Sequence, residues 1–288
     1  MNIPPEKQTL LDTIVELLSA VTGVQALVLG GSYARGTQRP DSDLDVALYY
    51  REDQPFDLDE IRGAASAIVA GDAPQVTAFY GWGPWVNGGA WIHTPVGKVD
   101  FLYRNIDQVQ RTIDEARQGI THHDFNQQPA YGFYSVIYLA ETHVCFPLYD
   151  PHGIIARLKE QVAVYPPELK KQTLASALWL AEFSLLHADG FGASGNVYAA
   201  AGALTRAASY MTQALFAINE TYFISDKSAL NEIAAFARAP RDYGARLSRI
   251  LGQVGQTREE MAASVSALRG LWREVVDLSG GYTPAFQV

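Results

Sequence analysis

The sequence predicts an N-terminal α+β domain, with a small mixed sheet and helices, followed by an all-α helical bundle. In the first 120 residues, short apolar runs alternate with amphipathic segments, which is typical of strands and helices in one domain. Farther along, apolar residues recur at steps of four and three, as at Val197, Ala201 and Leu204. That spacing favours helices packed in a bundle. A chain of 288 residues that is 48% hydrophobic can form two cores, so we predict domains at 1–120 and 121–288.

Individual elements follow from periodicity and from glycine and proline positions. The expected N-terminal elements are helices at 7–21, 32–35, 58–70 and 106–118, and strands at 24–29, 43–50, 75–80, 90–93 and 98–103. A helix at 134–144 and a turn between Pro147 and Pro151 come next, and no strand pattern follows. The bundle is expected to hold four or five helices, among them 154–162, 169–188, 197–218, 226–238 and 261–275.

Charge and composition narrow the class of partner. The net charge is −9, and the basic residues form no run beyond Lys170 and Lys171, whereas proteins that grip long nucleic acids carry a basic face. A small molecule is the better expectation. No apolar stretch reaches the length of a membrane span, and the first residues carry no apolar signal region. A cytoplasmic location is expected, with the single Cys145 as a buried structural thiol.

One stretch, from Leu27 to Tyr50, concentrates the chemistry. A strand leads into Gly30, Gly31 and Ser32, and ten residues later Asp43 and Asp45 flank a leucine at the start of another strand. Residues two apart in a strand face the same side. Two neighbouring carboxylates repel each other unless a cation lies between them, and Mg²⁺ prefers such oxygen ligands.

The glycine turn suits a phosphate. Its backbone N–H groups and the Ser32 hydroxyl can bind phosphate oxygens, and the short helix begins there. A third acid, Asp100, lies on a later strand between Val99 and Phe101. Hydrogen-bond donors that can bind phosphate lie close in sequence to carboxylates that can hold Mg²⁺. This combination predicts chemistry on a nucleoside triphosphate.

These residues resemble the signature of the nucleotidyltransferase superfamily, which includes DNA polymerase β and the antibiotic nucleotidyltransferases. The signature is an apolar residue, Gly, Gly or Ser, nine to thirteen residues, then Asp, an apolar residue, Asp or Glu, and another apolar residue. It is matched by Leu29-Gly30-Gly31 and by Asp43-Leu44-Asp45-Val46. The resemblance covers residues 24–103. The C-terminal half is similar in layout to the bundles of kanamycin-type enzymes and related uncharacterised bacterial proteins.

The resemblance implies transfer of a nucleoside monophosphate, with AMP from ATP as the expected case, to a hydroxyl of a small molecule, with release of pyrophosphate. It implies two Mg²⁺ ions held by Asp43, Asp45 and Asp100. ATP or another nucleoside triphosphate is the co-substrate. The expected nucleotide-binding residues are Gly30, Gly31, Ser32, Arg35 and Lys227, and Glu141 matches the placement of the general base in kanamycin-type enzymes. The structural alternatives are salt bridges at Asp100 and Glu141, an exposed loop position for Arg35 and a surface position for Lys227.

The acceptor is expected to contact Trp85, Trp91 and Glu182, an acid in an otherwise apolar helix that is also the second candidate for the base. The tryptophans lie in a glycine-rich hairpin, where they could instead form a local apolar plug. Acidic surroundings favour a cationic acceptor similar to an aminoglycoside antibiotic.

Other functions stay open at this point. The enzyme could adenylylate a protein partner, as antitoxin-like relatives of the superfamily do, or the chain could bind nucleotides as a non-catalytic regulator. Transfer to an RNA end is disfavoured by the acidic charge. A homodimer is left open, and neither a long nucleic acid nor a membrane is expected as a partner.

Overall fold

The computed structural model describes residues 3–128 and 130–286. The chain forms two compact units, one from residues up to 114 together with 133–164, the other from 115–132 together with 165 onward. The first contains a mixed sheet with helices and the second is helical, so the predicted fold class is confirmed. The two units are interleaved in the sequence, whereas the predicted division at residue 120 assigns 133–164 to the bundle.

The first unit is built on a five-stranded sheet with the order β3-β4-β2-β1-β7. Strands β2 and β4 run parallel, and the other neighbouring pairs are antiparallel. The strands are β1 Ala26–Leu29, β2 Leu44–Tyr50, β3 Gly89–Thr94, β4 Gly97–Asn105 and β7 Phe146–Tyr149; two-residue strands β5 His123–Asp124 and β6 Phe133–Tyr134 complete the set. The first six helices are α1 Pro5–Ser19, α2 Gly31–Arg35, α3 Leu58–Ile68, α4 Ile106–Arg117, α5 Val136–Val144 and α6 Ile154–Gln161.

One face of this sheet is covered by helices. In β2 and β4, alternate residues such as Leu44, Val46 and Phe101 belong to a buried core. Helices α1 and α3 contribute Ile14 and Ile61 to the same core. Because strand side chains alternate between faces, the residues between these core positions face the other side of the sheet.

The predicted strand at 75–80 is wrong. Only Val76 makes a ladder contact, an isolated bridge to Ala90. Instead, the Phe79 ring packs at 4.8 Å from the ring of Tyr50 and 5.6 Å from that of Tyr103. The apolar residues of this segment are therefore explained by aromatic packing onto the sheet rather than by strand pairing.

The turn predicted between Pro147 and Pro151 is also partly wrong, since it contains edge strand β7. Pro147 pairs with Val28 of β1, next to an irregularity in the register. Proline lacks an N–H donor, so in sheets it is confined to edge strands and bulges. Both conditions hold here, and the proline that suggested a turn is compatible with the strand.

The second unit contains five helices among its described residues, in agreement with the expected four or five. They are α7 Pro167–Ser194, α8 Val197–Ile218, α9 Asp226–Ala234, α10 Tyr243–Gly252 and α11 Arg258–Ser279. Side chains of Asn196, Ser225 and Thr257 cap the N-termini of α8, α9 and α11. Helix α10 was not predicted, and α9 ends four residues before the predicted position.

Cys145 is buried, in agreement with its predicted structural role. Burial raises the pKa of its thiol to about 11, and an un-ionised thiol is a poor nucleophile. Within the described residues, no helix combines the length and apolar character needed to cross a membrane.

Candidate active site

Four residues form a row across the sheet on the face away from the α1 and α3 core. Asp45 of β2 is in register with Asp100 of β4, and Asp100 is in register with Trp91 of β3. On the other side, the Gly30 N–H donates a 2.8 Å hydrogen bond to the Asp45 carbonyl. Neighbouring strands lie about 4.8 Å apart, so the two carboxylates are adjacent and the indole is one strand farther. Both aspartates are half-buried.

The glycine turn lies directly against Asp45. Helix α2 begins at Gly31, whose φ is +57°, in the left-handed region. A Cβ added to Gly31 would lie 1.7 Å from the Asp45 Oδ2, so no other residue fits without moving that carboxylate. The turn and the second aspartate of the motif therefore form one compact group.

Asp43 lies just before the first residue of β2 and is half-buried. The preceding loop folds on itself, since the Arg39 N–H donates to the Ser42 Oγ at 2.8 Å and the Ser42 N–H donates to the Arg39 carbonyl at 3.0 Å. Arg39 is exposed and forms a 3.3 Å ion pair with Asp41. Arg35, in the last turn of α2, is half-buried.

Two neighbouring carboxylates could supply part of the ligand set of a hard divalent cation. Asp45 and Asp100 offer carboxylate oxygens from adjacent strands on one face, and Mg²⁺ is bound by one or two carboxylates together with substrate phosphates and water. Across the described chain, no three Asp, Glu, His or Cys side chains are grouped so that they could hold a metal ion. The ligand role of Asp43 therefore stays a prediction.

The tryptophans of the hairpin separate into two environments. Trp91 is 66% exposed, and its ring stacks on that of Trp82 with centroids 4.9 Å apart and planes at 24°. Trp85 instead packs between Phe133, at 5.6 Å, and Tyr138, at 5.8 Å. Its carbonyl also accepts a hydrogen bond from the Tyr138 hydroxyl. Trp91 thus presents its ring beside the carboxylates, while Trp85 is engaged in packing.

Glu141 of α5 is held by a buried arginine. Arg104 donates from Nε at 2.7 Å and from a terminal nitrogen at 2.8 Å to the two carboxylate oxygens. Burial alone would lower the pKa of Arg104, but the charge and hydrogen bonds of Glu141, together with nearby tyrosines, raise that pKa above its usual value. Arg104 is four residues beyond Asp100 along β4, which is about 13 Å at the rise of an extended strand. A structural role explains the position of Glu141 well.

Replacing Glu141 by Ala is expected to destabilise the protein by about 3 kcal/mol, because Arg104 would remain buried without its partner. The double variant Arg104→Met/Glu141→Leu should recover most of this loss, since no unpaired charge remains. Urea denaturation measures both values, with the exposed Glu168→Ala as control. Unchanged stability in Glu141→Ala would argue for a role in the reaction instead.

The two remaining predicted residues lie in the second unit. Glu182 is fully buried, and its carboxylate accepts hydrogen bonds from the Tyr282 hydroxyl at 2.7 Å and from the N–H groups of Ala285 and Phe286 at 2.9 and 2.7 Å. It thus anchors the C-terminal segment. Lys227 is exposed in the first turn of α9. Their proposed contacts with acceptor and nucleotide stay predictions.

One residue near the motif, Lys7 of α1, is not among the residues predicted for the site. It is only 6% exposed, and its Nζ donates a 2.6 Å hydrogen bond to the Ser42 carbonyl. The signal was present, because Lys7 precedes Leu11, Ile14 and Leu18 at helical spacing and is a cation on an apolar face.

Comparison with known proteins finds a family match in the N-terminal part of the chain. Residues 9–75 match the model of the nucleotidyltransferase domain family, a range that includes the glycine turn, Asp43 and Asp45 but ends before Asp100. This chain is similar in structure to a nucleotidyltransferase-like protein from Exiguobacterium sibiricum. The alignment covers 96% of this chain and 77% of that protein, with 10% sequence identity and a TM-score of 0.46. No curated protein matches significantly.

The match over residues 9–75 identifies a nucleotidyltransferase domain in the N-terminal part of the chain, and it supports an enzyme that transfers nucleotides. The more specific resemblance to kanamycin-type enzymes stays a prediction.

Proposed function

We propose that this protein is a Mg²⁺-dependent nucleotidyltransferase that moves AMP from ATP to a hydroxyl of a small, ring-containing molecule. The observation that carries the proposal is the row formed by Gly30, Asp45, Asp100 and Trp91. The row brings the backbone of the glycine turn, two carboxylates and an exposed aromatic ring together on one face of the sheet. These groups could bind a triphosphate, its cation and a ring of the acceptor.

Each part of the row has its own task. The turn at Gly31 and Ser32 presents backbone N–H groups and a hydroxyl to the triphosphate. Asp45 and Asp100 hold the cation and orient the acceptor, with Asp43 as the third proposed ligand. Bound Mg²⁺ neutralises charge on the triphosphate and lowers the pKa of the attacking hydroxyl. Catalysis then depends on aligning that hydroxyl with the α-phosphorus opposite the departing pyrophosphate.

Trp91 supports an acceptor with a ring that can lie against the indole. Its exposed face is next to Asp100, and stacking on Trp82 fixes its orientation. A cationic acceptor would gain from the indole through a cation–π contact and from the carboxylates through charge. An amino sugar similar to an aminoglycoside combines a ring, hydroxyls and cationic amines.

Replacing Trp91 by Ala is expected to raise the KM for the acceptor about tenfold, equal to about 1.4 kcal/mol, because one stacking contact is lost. The KM for ATP should change little. Steady-state kinetics with each substrate varied separately provides the measurement. Tyr198→Ala, which removes a 91% exposed aromatic residue from α8, is the control. An acceptor KM that is unchanged in Trp91→Ala would exclude this contact.

The reaction itself is tested with α-labelled ATP, Mg²⁺ and a panel of hydroxyl-bearing acceptors that includes amino sugars. Pyrophosphate release should match the appearance of labelled small-molecule product, and EDTA should abolish both. Other labelled nucleoside triphosphates test the choice of nucleotide. Label on a copurified protein would support protein adenylylation instead. Tight binding of ATP and Mg²⁺ without pyrophosphate release on any acceptor would point to a regulatory protein.

A further inference from the structure

Lys7 is a buried cation on the core-facing side of α1. It is 6% exposed and shares that side with the buried Leu11, Ile14 and Leu18. Transfer of an ammonium group out of water is costly unless hydrogen bonds replace its hydration. The contacts of its Nζ should therefore show why a lysine occupies an apolar position.

The ammonium group contacts both halves of the glycine–aspartate motif. It donates a 2.6 Å hydrogen bond to the Ser42 carbonyl and lies 3.5 Å from the Pro40 carbonyl. It also lies over the ring of Tyr33, 5.3 Å from the centroid. Tyr33 is a buried residue of α2, the helix that begins at the glycine turn. One side chain thus links α1 to the loop before β2 and to the turn.

The contact with Ser42 acts directly on Asp43. The carbonyl of Ser42 and the N–H of Asp43 belong to the same planar peptide unit. A hydrogen bond that holds the Ser42 oxygen therefore holds the backbone from which the Asp43 side chain projects. The Pro40 carbonyl, two residues earlier, lies within reach of the same Nζ, and both carbonyls face α1.

We propose that Lys7 is a positioning residue for the nucleotide site, holding the Ser42–Asp43 peptide and the α2 turn in the arrangement that the metal and the triphosphate require. This inference rests on the proposed function for its catalytic consequence. Its structural consequence, an ordered loop before Asp43, does not depend on which reaction is catalysed.

The test compares Lys7→Met, which keeps the length and apolar stem but removes the charge and the donors, with Lys7→Arg, which keeps both. Gln8→Met, at the exposed neighbouring position of α1, is the matched control. Three quantities are measured well below each melting temperature: amide hydrogen exchange of residues 36–45, affinity for Mn²⁺, and kcat and KM for transfer. If Lys7→Met does not fold, the shorter polar variant Lys7→Gln replaces it.

In Lys7→Met, exchange should accelerate in residues 36–45 but not in the sheet strands β1 and β4. Mn²⁺ affinity should fall about tenfold, the size typical for loss of a group that orients a metal ligand. The kcat should fall and the KM for ATP should rise, because the Asp43 peptide and the α2 turn both lose their contact with the ammonium group, and Lys7→Arg should recover most of each effect. Gln8→Met should behave like the wild type.

Two results would overturn the role of Lys7. Uniformly faster exchange with unchanged Mn²⁺ affinity would show that the residue only stabilises the core. Wild-type behaviour in Lys7→Met would show that it positions nothing. Failure of the wild type to transfer nucleotides is a separate result, since local exchange and Mn²⁺ binding would still report on the loop.

Discussion

Asp45→Asn is expected to lower the rate of nucleotidyl transfer by about 10³-fold or more, the scale on which removal of a key electrostatic group acts in phosphoryl and acyl transfer. Asp45 lies in register with Asp100 and against the glycine turn, so it links the proposed phosphate site to the proposed cation site. The substitution keeps the size of the side chain but removes its negative charge. The measurement is label transfer from α-labelled ATP.

Binding of Mg²⁺ should also be visible in the stability of the protein, because an ion that binds only the folded state stabilises that state. Added Mg²⁺ should stabilise the wild type by mass action and stabilise the variant less. Both are read from urea midpoints with and without the ion.

Asp53→Asn is the control for Asp45→Asn. Asp53 is 68% exposed and pairs with Arg51 just beyond the C-terminal end of β2. Its substitution removes the same charge from the same part of the chain, but at a distance from the site. Its activity and its response to Mg²⁺ should match those of the wild type. Transfer that survives in Asp45→Asn at the level of Asp53→Asn would refute the cation site.

Gly31→Ala is expected to reduce transfer by about 10²-fold, comparable to the loss of a positioned donor group. The added Cβ would lie 1.7 Å from the Asp45 Oδ2, and the contact can be relieved only by moving the carboxylate or the turn. Either movement would separate the backbone N–H groups proposed to bind phosphate from the proposed cation site. Kinetics at saturating ATP measures the effect.

Gly36→Ala is a matched control for this prediction. Gly36 also has a positive φ, +69°, but a Cβ there would meet nothing within 4 Å. Both substitutions carry the cost of a left-handed conformation, about 1–2 kcal/mol, and only Gly31→Ala creates the collision with Asp45. Equal losses of activity in the two variants would mean that backbone strain, and not contact with Asp45, explains the effect.

The motif could be predicted from the sequence because it is local. The alternation around Asp45 marks a strand with one buried face, and the glycines mark a turn, so the type of chemistry follows from one short stretch. Gly31 could be expected to approach a ligand, but its contact with Asp45 depends on the pairing of β1 with β2.

Long-range relations could not be predicted in the same way. Asp45 and Asp100 are in register on the parallel strands β2 and β4, which are separated by 46 residues of chain. No local sequence pattern specifies this register. The partner of Glu141, Arg104, lies 37 positions earlier in the chain. Lys7 was visible as a cation on an apolar face, but the carbonyls that it binds were not.

The placement of β7 determines how this protein can be dissected. Residues 133–164 belong to the sheet unit, although they follow residues 115–132 of the helical unit. A fragment that stops at residue 120 would lack β7 and would leave β1 as an uncovered edge, with backbone groups ready to pair with another molecule. Such a fragment should aggregate, so binding studies on the nucleotide site require the intact chain.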